Sequence, residues 1–147
     1  MSKFGKSQSL KRVEDVRLLT GAGRYVDDIA PGNALHAVFL RSPVAHADIT
    51  ALDLGPARAM QGVAAVLTAD DLRQAGVTLG MKFSRVSNRD GSRGAAPERP
   101  VLATDRVRFV GEPVACIIAE TIDQARDALD LIEFDYQDLP AHLDLAE

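Results

Sequence analysis

Along the chain the apolar residues shift from helical spacing to strand-like runs and back, and the shifts mark out the elements. "RVEDVRLLTG" predicts a short helix over about Val13–Leu19, with Gly21 and Gly23 as C-terminal breakers. "RYVDDIAPGN" reads as an extended segment closed by a Pro31-Gly32-Asn33 turn. Ala34–Ser42 is rich in strand formers and nearly continuous in apolar character, which predicts a well-buried strand ending at Pro43. Ala47–Leu54 predicts a second strand. Gly55-Pro56 then opens a short helix, with proline at the first helical position, and Gly62 closes it. Val63–Leu67 returns as a strand. Thr68 is placed to cap a helix over Ala69–Arg73, whose first turn carries Asp70 and Asp71 where the helix dipole favours them.

Between Met81 and Pro100 the period vanishes into "MKFSRVSNRDGSRGAAPERP", a loop of the length that is usually mobile or functional. "DRVRFV" then alternates Val107 and Phe109 against Arg106 and Arg108, which predicts a strand buried on one face. "PVACIIA" does not alternate, so it predicts a strand covered on both faces. Thr121 and Gln124 form a capping-box pair, and Ile122, Ala125, Leu129 and Ile132 recur at helical spacing. "IEFDYQDLP" closes the pattern as a half-buried strand with Ile132, Phe134 and Tyr136 on one face. Strands outnumber long helices and no βαβ unit recurs, so the class is α+β. It combines a mixed, mostly antiparallel sheet, a few short helices and one longer C-terminal helix.

A length of 147 residues allows one domain with an ordinary core. The 46% hydrophobic and 26% charged residues are globular values, and no apolar run is long enough to span a membrane. Residues 1–11 read as a flexible basic N-terminus and 12–147 as the domain, with 81–100 as a mobile loop. The N-terminus lacks the apolar core of a secretory signal, so the expected compartment is the cytoplasm. The net charge of −4 is unevenly spread: arginines crowd Lys82–Arg108, whereas from Glu120 onward Arg126 stands alone against nine acids. An acidic domain with almost no aromatic residue in its basic loop does not suit nucleic acid; a solvated loop, or one docking on an acidic partner, suits it better.

Candidate chemistry is sparse. The single cysteine, Cys116, excludes an internal disulfide and a metal site built from several cysteines, and "VACIIA" reads as a buried small hydrophobe. "GAGRYV" lacks both the preceding strand and the third glycine of a dinucleotide loop. His36, His46 and His142 lack helical metal-site spacing. Asp123, Asp127 and Asp130 share a helix face that solvent explains. Ser42, Ser84, Ser87 and Ser92 have no nucleophile-elbow flanks. Glu112, in "RFVGEPVACIIAE", is the best single carboxylate. As an acid or base it needs burial to raise its pKa and a substrate nearby. As part of a Gly111-Glu112-Pro113 turn it needs only to face water or cap a neighbour, which is the simpler account.

"RVEDVRLLTGAGRYVDDI", "LHAVFLRSPVAHADI", "GVAAVLTADDL", "RPVLATDRVRFVGEPVACIIAET" and "DLIEFDYQDLPAHLD", in that order, resemble the α/β-hammerhead domain at the start of molybdenum hydroxylase large subunits. This is the xanthine dehydrogenase, aldehyde oxidase and aerobic carbon monoxide dehydrogenase family. The blocks run from about Arg12 to Asp144; Val44 and Asp48 depart from the family's usual histidine and arginine, and the 81–100 loop matches no family pattern. The resemblance implies a structural domain that packs against the molybdenum-cofactor-binding domain of its subunit and the iron–sulfur component. Molybdopterin-type cofactor, [2Fe–2S] clusters and FAD are then expected in the full complex, with none bound by this chain. The pterin-binding segments and the catalytic glutamate of the family lie in a following domain. The resemblance therefore implies no catalytic, cofactor-binding or metal residue here, and it makes Glu112 a turn or interface residue. Two readings of the chain stay open: a segment of a longer subunit, or a self-standing, non-catalytic assembly module with the Arg-rich loop as docking element.

Overall fold

The computed structural model describes residues 11–29, 31–77, 80–81, 86–94 and 99–141. The chain divides into two compact units, Met1–Ala34 and Leu35–Glu147. In the first, helix α1 spans Asp15–Leu19 and a 3-10 turn spans Val26–Ile29. The Arg17 and Leu18 carbonyls accept from the Ala22 and Gly21 N–H groups, which ends α1 where the glycines predict. The 3-10 turn replaces the expected extended segment because the Asp28 carboxylate accepts from the Tyr25 N–H at 2.8 Å, a local bond that favours a turn. Neither element buries a residue.

The second unit holds the fold's sheets. Its elements are β1 (His36–Arg41), β2 (Ala47–Asp53), α2 (Gly55–Ala59), β3 (Val63–Leu67), α3 (Ala69–Gln74), β4 (Gly80–Met81), β5 (Arg99–Pro100), β6 (Arg106–Val107), β7 (Pro113–Ala119), α4 (Ile122–Asp130) and β8 (Glu133–Asp138). They form three sheets ordered β1-β7-β3, β6-β2-β8 and β4-β5, and every ladder is antiparallel. Both expected caps form: Thr68 with Asp71 at α3, and Thr121 with Gln124 at α4, each a reciprocal capping box.

Helices α2 and α4 press Leu54, Ala57, Ala125 and Ala128 onto Val66, Ala115, Ile117 and Ala119. The alanines of α4 keep the helix close to the sheet, so the flanking Leu129 and Ile132 reach the same core. A second cluster joins Ala47, Ala103, Val107 and Val114, with Ile49 and Phe134 against it. Ile117, fully buried at the centre of β7, contributes about 1.5–3 kcal/mol through burial of its side chain.

Three strands differ from expectation. β1 is an edge strand in which only Val38 and Leu40 reach the core, and Phe39 is 40% exposed. The strand through Arg106 is two residues long, because the chain turns at Arg108 and leaves Phe109 54% exposed. β7 is covered on one face: Ala115, Ile117 and Ala119 are buried, while Cys116 and Ile118 on the opposite face are half-buried. Within the 81–100 loop, Met81 pairs with Arg99 and Ser87 bridges Arg93. The basic N-terminus to residue 10 lies outside the described residues, as do Lys82 to Arg85.

Candidate functional site at the Ser42–Glu112 corner

Two sequence blocks meet where β1 ends and β7 begins. Gly111 adopts φ 84°, the left-handed conformation that glycine takes without a Cβ penalty. The turn this permits brings the Glu112 N–H to the Phe109 carbonyl at 3.2 Å. The Glu112 carboxylate folds back inside the turn and accepts from the Arg108 backbone N–H. Glu112 is 2% exposed, so its carboxylate caps a neighbour rather than facing water.

Ser42 locks this turn to β1. Its N–H donates to the Glu112 carbonyl at 2.9 Å, and its carbonyl accepts from the Gly111 N–H at 2.8 Å. Its hydroxyl donates to the Val44 carbonyl at 2.7 Å and accepts from the Val44 N–H at 3.2 Å, a local serine turn just after the strand. The Arg41 guanidinium closes the outside by donating to the Gly111 carbonyl at 2.8 Å. Ser42 is thus a pin whose hydroxyl is fully engaged. Sequence reasoning tested it only as a nucleophile and missed this role, because the pinning groups are its backbone N–H and carbonyl and their partners lie at Gly111 and Glu112.

Beside the corner lies a cleft of about 460 Å³ lined by Ala45, His46, Arg106, Arg108, Phe109, Val110 and Ala141. His46 lies 2.7 Å through Nδ1 from the Pro140 carbonyl. A carbonyl only accepts, so the proton sits on Nδ1 and Nε2 is the remaining ring nitrogen. Arg106 is paired with Asp48, and Arg108 donates to the Arg106 carbonyl at 2.9 Å. Next to Arg106 in sequence, the Thr104 hydroxyl, then the Asp105 N–H, hold the Asp105 carboxyl below the ordinary aspartate value despite some burial. The cleft therefore offers guanidinium, imidazole and apolar surface. Glu112 is spent on the turn, and among the described residues no buried side-chain polar atom lacks a partner. Such a surface suits contact better than acid–base turnover.

The other candidates do not converge here. His36 begins β1, exposed. Asp123, Asp127 and Asp130 lie on the exposed face of α4, with Asp123 3.8 Å from Arg126. Ser92 donates through its N–H and hydroxyl to Asp90, which these bonds hold below the ordinary carboxylate range. Ser87 pairs with Arg93. Ser84 and His142 lie outside the described residues. Gly21–Val26 follows α1 rather than a strand. Among the described residues no three His, Cys, Asp or Glu side chains gather as a metal would need. Nor is any helix of the described residues long and apolar enough to cross a membrane.

The second unit thus combines antiparallel sheets with short helices on one face of the β1-β7-β3 sheet, whose β1 and β7 are tied at a Ser-Pro and Gly-Glu-Pro corner. The family model described as "Aldehyde oxidase and xanthine dehydrogenase, a/b hammerhead domain" matches residues 20–140. The chain belongs to this family. It is 42% identical over 133 residues to the nicotine 6-hydroxylase large subunit of Paenarthrobacter nicotinovorans, covering 90% of this chain and 16% of that one. It is 39% identical over 134 residues to the carbon monoxide dehydrogenase large chain of Afipia carboxidovorans, covering 91% and 15%. The crystal structure of a Cu,Mo-CO dehydrogenase superposes with a TM-score of 0.75 at 38% identity, over 92% of this chain and 16% of that one. The chain thus spans about a sixth of the length of each of these two curated relatives.

Proposed function

We propose that this chain is the structural hammerhead domain of a molybdenum hydroxylase large subunit, a part of the oxidoreductase that holds the catalytic domain in place without carrying out the chemistry. The observation that supports this best is the buried corner. The one carboxylate with a catalytic appearance in sequence, Glu112, is consumed in capping the Arg108 N–H, and the Ser42 hydroxyl in bonding the Val44 carbonyl and N–H. What the corner turns outward is contact surface: Phe109, Val110 and the arginines beside them.

In this reading the full complex carries a molybdopterin-type molybdenum cofactor, [2Fe–2S] clusters and FAD, which together supply water-dependent oxidation of a small substrate and electron transfer. The residues present do not fit the iron–sulfur group. A [2Fe–2S] cluster takes four thiolates, and Cys116, on a sheet face, is the chain's only one. No step of the reaction passes through this chain. Its partners are the molybdenum-cofactor domain of its own subunit and the iron–sulfur and flavin components, and we place the assembly in the cytoplasm, where unpaired thiols persist.

The test is co-expression of Met1–Glu147 with the molybdenum-cofactor domain of the same subunit, supplied as a separate tagged chain. The two should co-purify as an equimolar complex. A hammerhead chain that leaves the column alone, folded by circular dichroism, would overturn the reading.

A further inference from the structure

The β1-β7-β3 sheet has a face on which neither core cluster of the second unit packs. Cross-strand register places Phe39 and Leu67 opposite Cys116, and Ala37 and Ala65 opposite Ile118. Residues directly opposite on neighbouring strands share a face, so these six side chains form one patch. All are apolar or weakly polar, and none belongs to or packs against either core cluster. Helix α4 takes the other face, through Ala125 and Ala128 on Ala115, Ile117 and Ala119.

The sequence of β7 fits a two-sided strand. A strand with one wet face alternates polar and apolar residues, whereas "PVACIIA" is apolar throughout, as in sheets covered on both sides. Phe39 stands 40% exposed at the edge of the patch, with the Arg41 guanidinium 5.7 Å from its ring centroid as a polar rim. That is the arrangement of an interface core and its border.

The size of the patch favours an occupant in the same polypeptide. Three strands about 4.8 Å apart, over three residues of about 3.3 Å each, give roughly 140 Å². A stable interface between free proteins buries roughly 800 Å² on each partner, so the patch alone would not hold a second copy of this chain. A domain in the same polypeptide faces no such requirement, because tethering raises its local concentration to the order of millimolar. The length of a relative leaves room for one, since the matching segment is 16% of the nicotine 6-hydroxylase large subunit.

We propose that the open face of the β1-β7-β3 sheet, centred on Phe39, Cys116 and Ile118, is the seat on which an apolar surface of the molybdenum-cofactor domain of the same subunit docks. This rests on the proposed function and adds to it which face does the packing. The docked domain completes a three-layer arrangement in which β7 is buried on both sides.

Cys116 is its own reporter. Tryptic cleavage after Arg108 and Arg126 releases it on the peptide Phe109–Arg126, so its alkylation by iodoacetamide can be followed by mass spectrometry even when the partner has cysteines. The rate is measured at one pH in Met1–Glu147 alone and in its complex with the molybdenum-cofactor domain. Alkylation at least about tenfold slower in the complex is the expected result. A complex in which Cys116 reacts at the free-chain rate overturns the docking face while leaving the assembly reading intact, and absence of any complex overturns both. Protection of Cys116 in the free chain, rising with its concentration, makes a second copy the occupant and also overturns the proposal. Independently, Phe39→Glu at the exposed edge should weaken the complex by about tenfold or more, the scale of a truncated interface anchor. Unchanged affinity in a folded Phe39→Glu variant counts against the face.

Discussion

Replacing Glu112 by alanine tests the corner most sharply, because the structure gives its carboxylate one task. Its partner is the Arg108 N–H, and Glu112 is 2% exposed, so water does not readily take its place. A hydrogen bond to a charged group contributes about 1.5–3 kcal/mol, and a buried donor left unpaired costs about 1–3 kcal/mol. Glu112→Ala should therefore lose about 2–3 kcal/mol. With roughly 3 °C per kcal/mol for a chain of this size, the melting temperature should fall by about 6–9 °C. Glu112→Gln keeps a carbonyl acceptor but loses the charge, so its loss should be smaller, about 1 kcal/mol. Urea titration followed by circular dichroism measures both, with the slope checked for constancy so that the shift in midpoint reports stability. A Glu112→Ala variant within about 0.5 kcal/mol of the native chain would refute the view that the carboxylate holds the turn.

Other consequences follow from the same geometry. Gly62 has φ 85° and a Cβ there would fall 2.1 Å from the Gln124 side chain, whereas Gly111 has φ 84° and open space. Gly111→Ala should then cost only the left-handed strain of about 1–2 kcal/mol, and Gly62→Ala more, since it also displaces the Gln124 capping box; equal losses in denaturant titration would contradict this. Thr68→Ala should cost about 1 kcal/mol at neutral pH. Its signature is in acid: the Thr68 hydroxyl, then its N–H, hold Asp71 below its ordinary value of 3.8. A lowered carboxylate gives its full stabilisation above the unfolded pKa and loses it as pH falls through the folded one, so the native chain should lose stability below about pH 4 more steeply than Thr68→Ala. Parallel acid limbs in the two unfolding profiles would contradict the assignment. Ile117→Ala, at the centre of the main core, should cost about 2–5 kcal/mol by denaturant titration.

Local chemistry was legible where the signal was itself local. The cap at Thr68, the capping box at Thr121 and the helix after it follow from hydroxyl and amide spacing that the backbone obeys directly, and the strand Val63–Leu67 from its apolar run; the Asp71 half of a box at Thr68 is what the structure adds. Errors arose where tertiary context decides. Val107 and Phe109 alternate as a strand would, yet Glu112 captures the Arg108 N–H and turns the chain before Phe109 can enter the sheet. Ala34–Ser42 and "PVACIIA" look equally apolar, but the first becomes an edge and the second a centre, a choice made by pairing partners far away in sequence. "RVEDVRLLTG" predicts its helix, and nothing in its pattern reveals that Val13, Val16 and Leu19 stay exposed. At the site, the resemblance made Gly111-Glu112-Pro113 a structural turn, and the carboxylate's inward direction is what the structure adds. The role of Ser42 needed both blocks brought together, because its partners Gly111 and Glu112 lie some seventy residues away.

The central claim is that this chain supplies structure and contact to a molybdenum hydroxylase while the metal chemistry belongs to its partner. Elemental analysis of molybdenum tests it most directly, on purified Met1–Glu147 alone and on its complex with the molybdenum-cofactor domain. The account predicts stoichiometric molybdenum in the complex and none above trace in the chain alone. Stoichiometric molybdenum retained by the chain alone would contradict it.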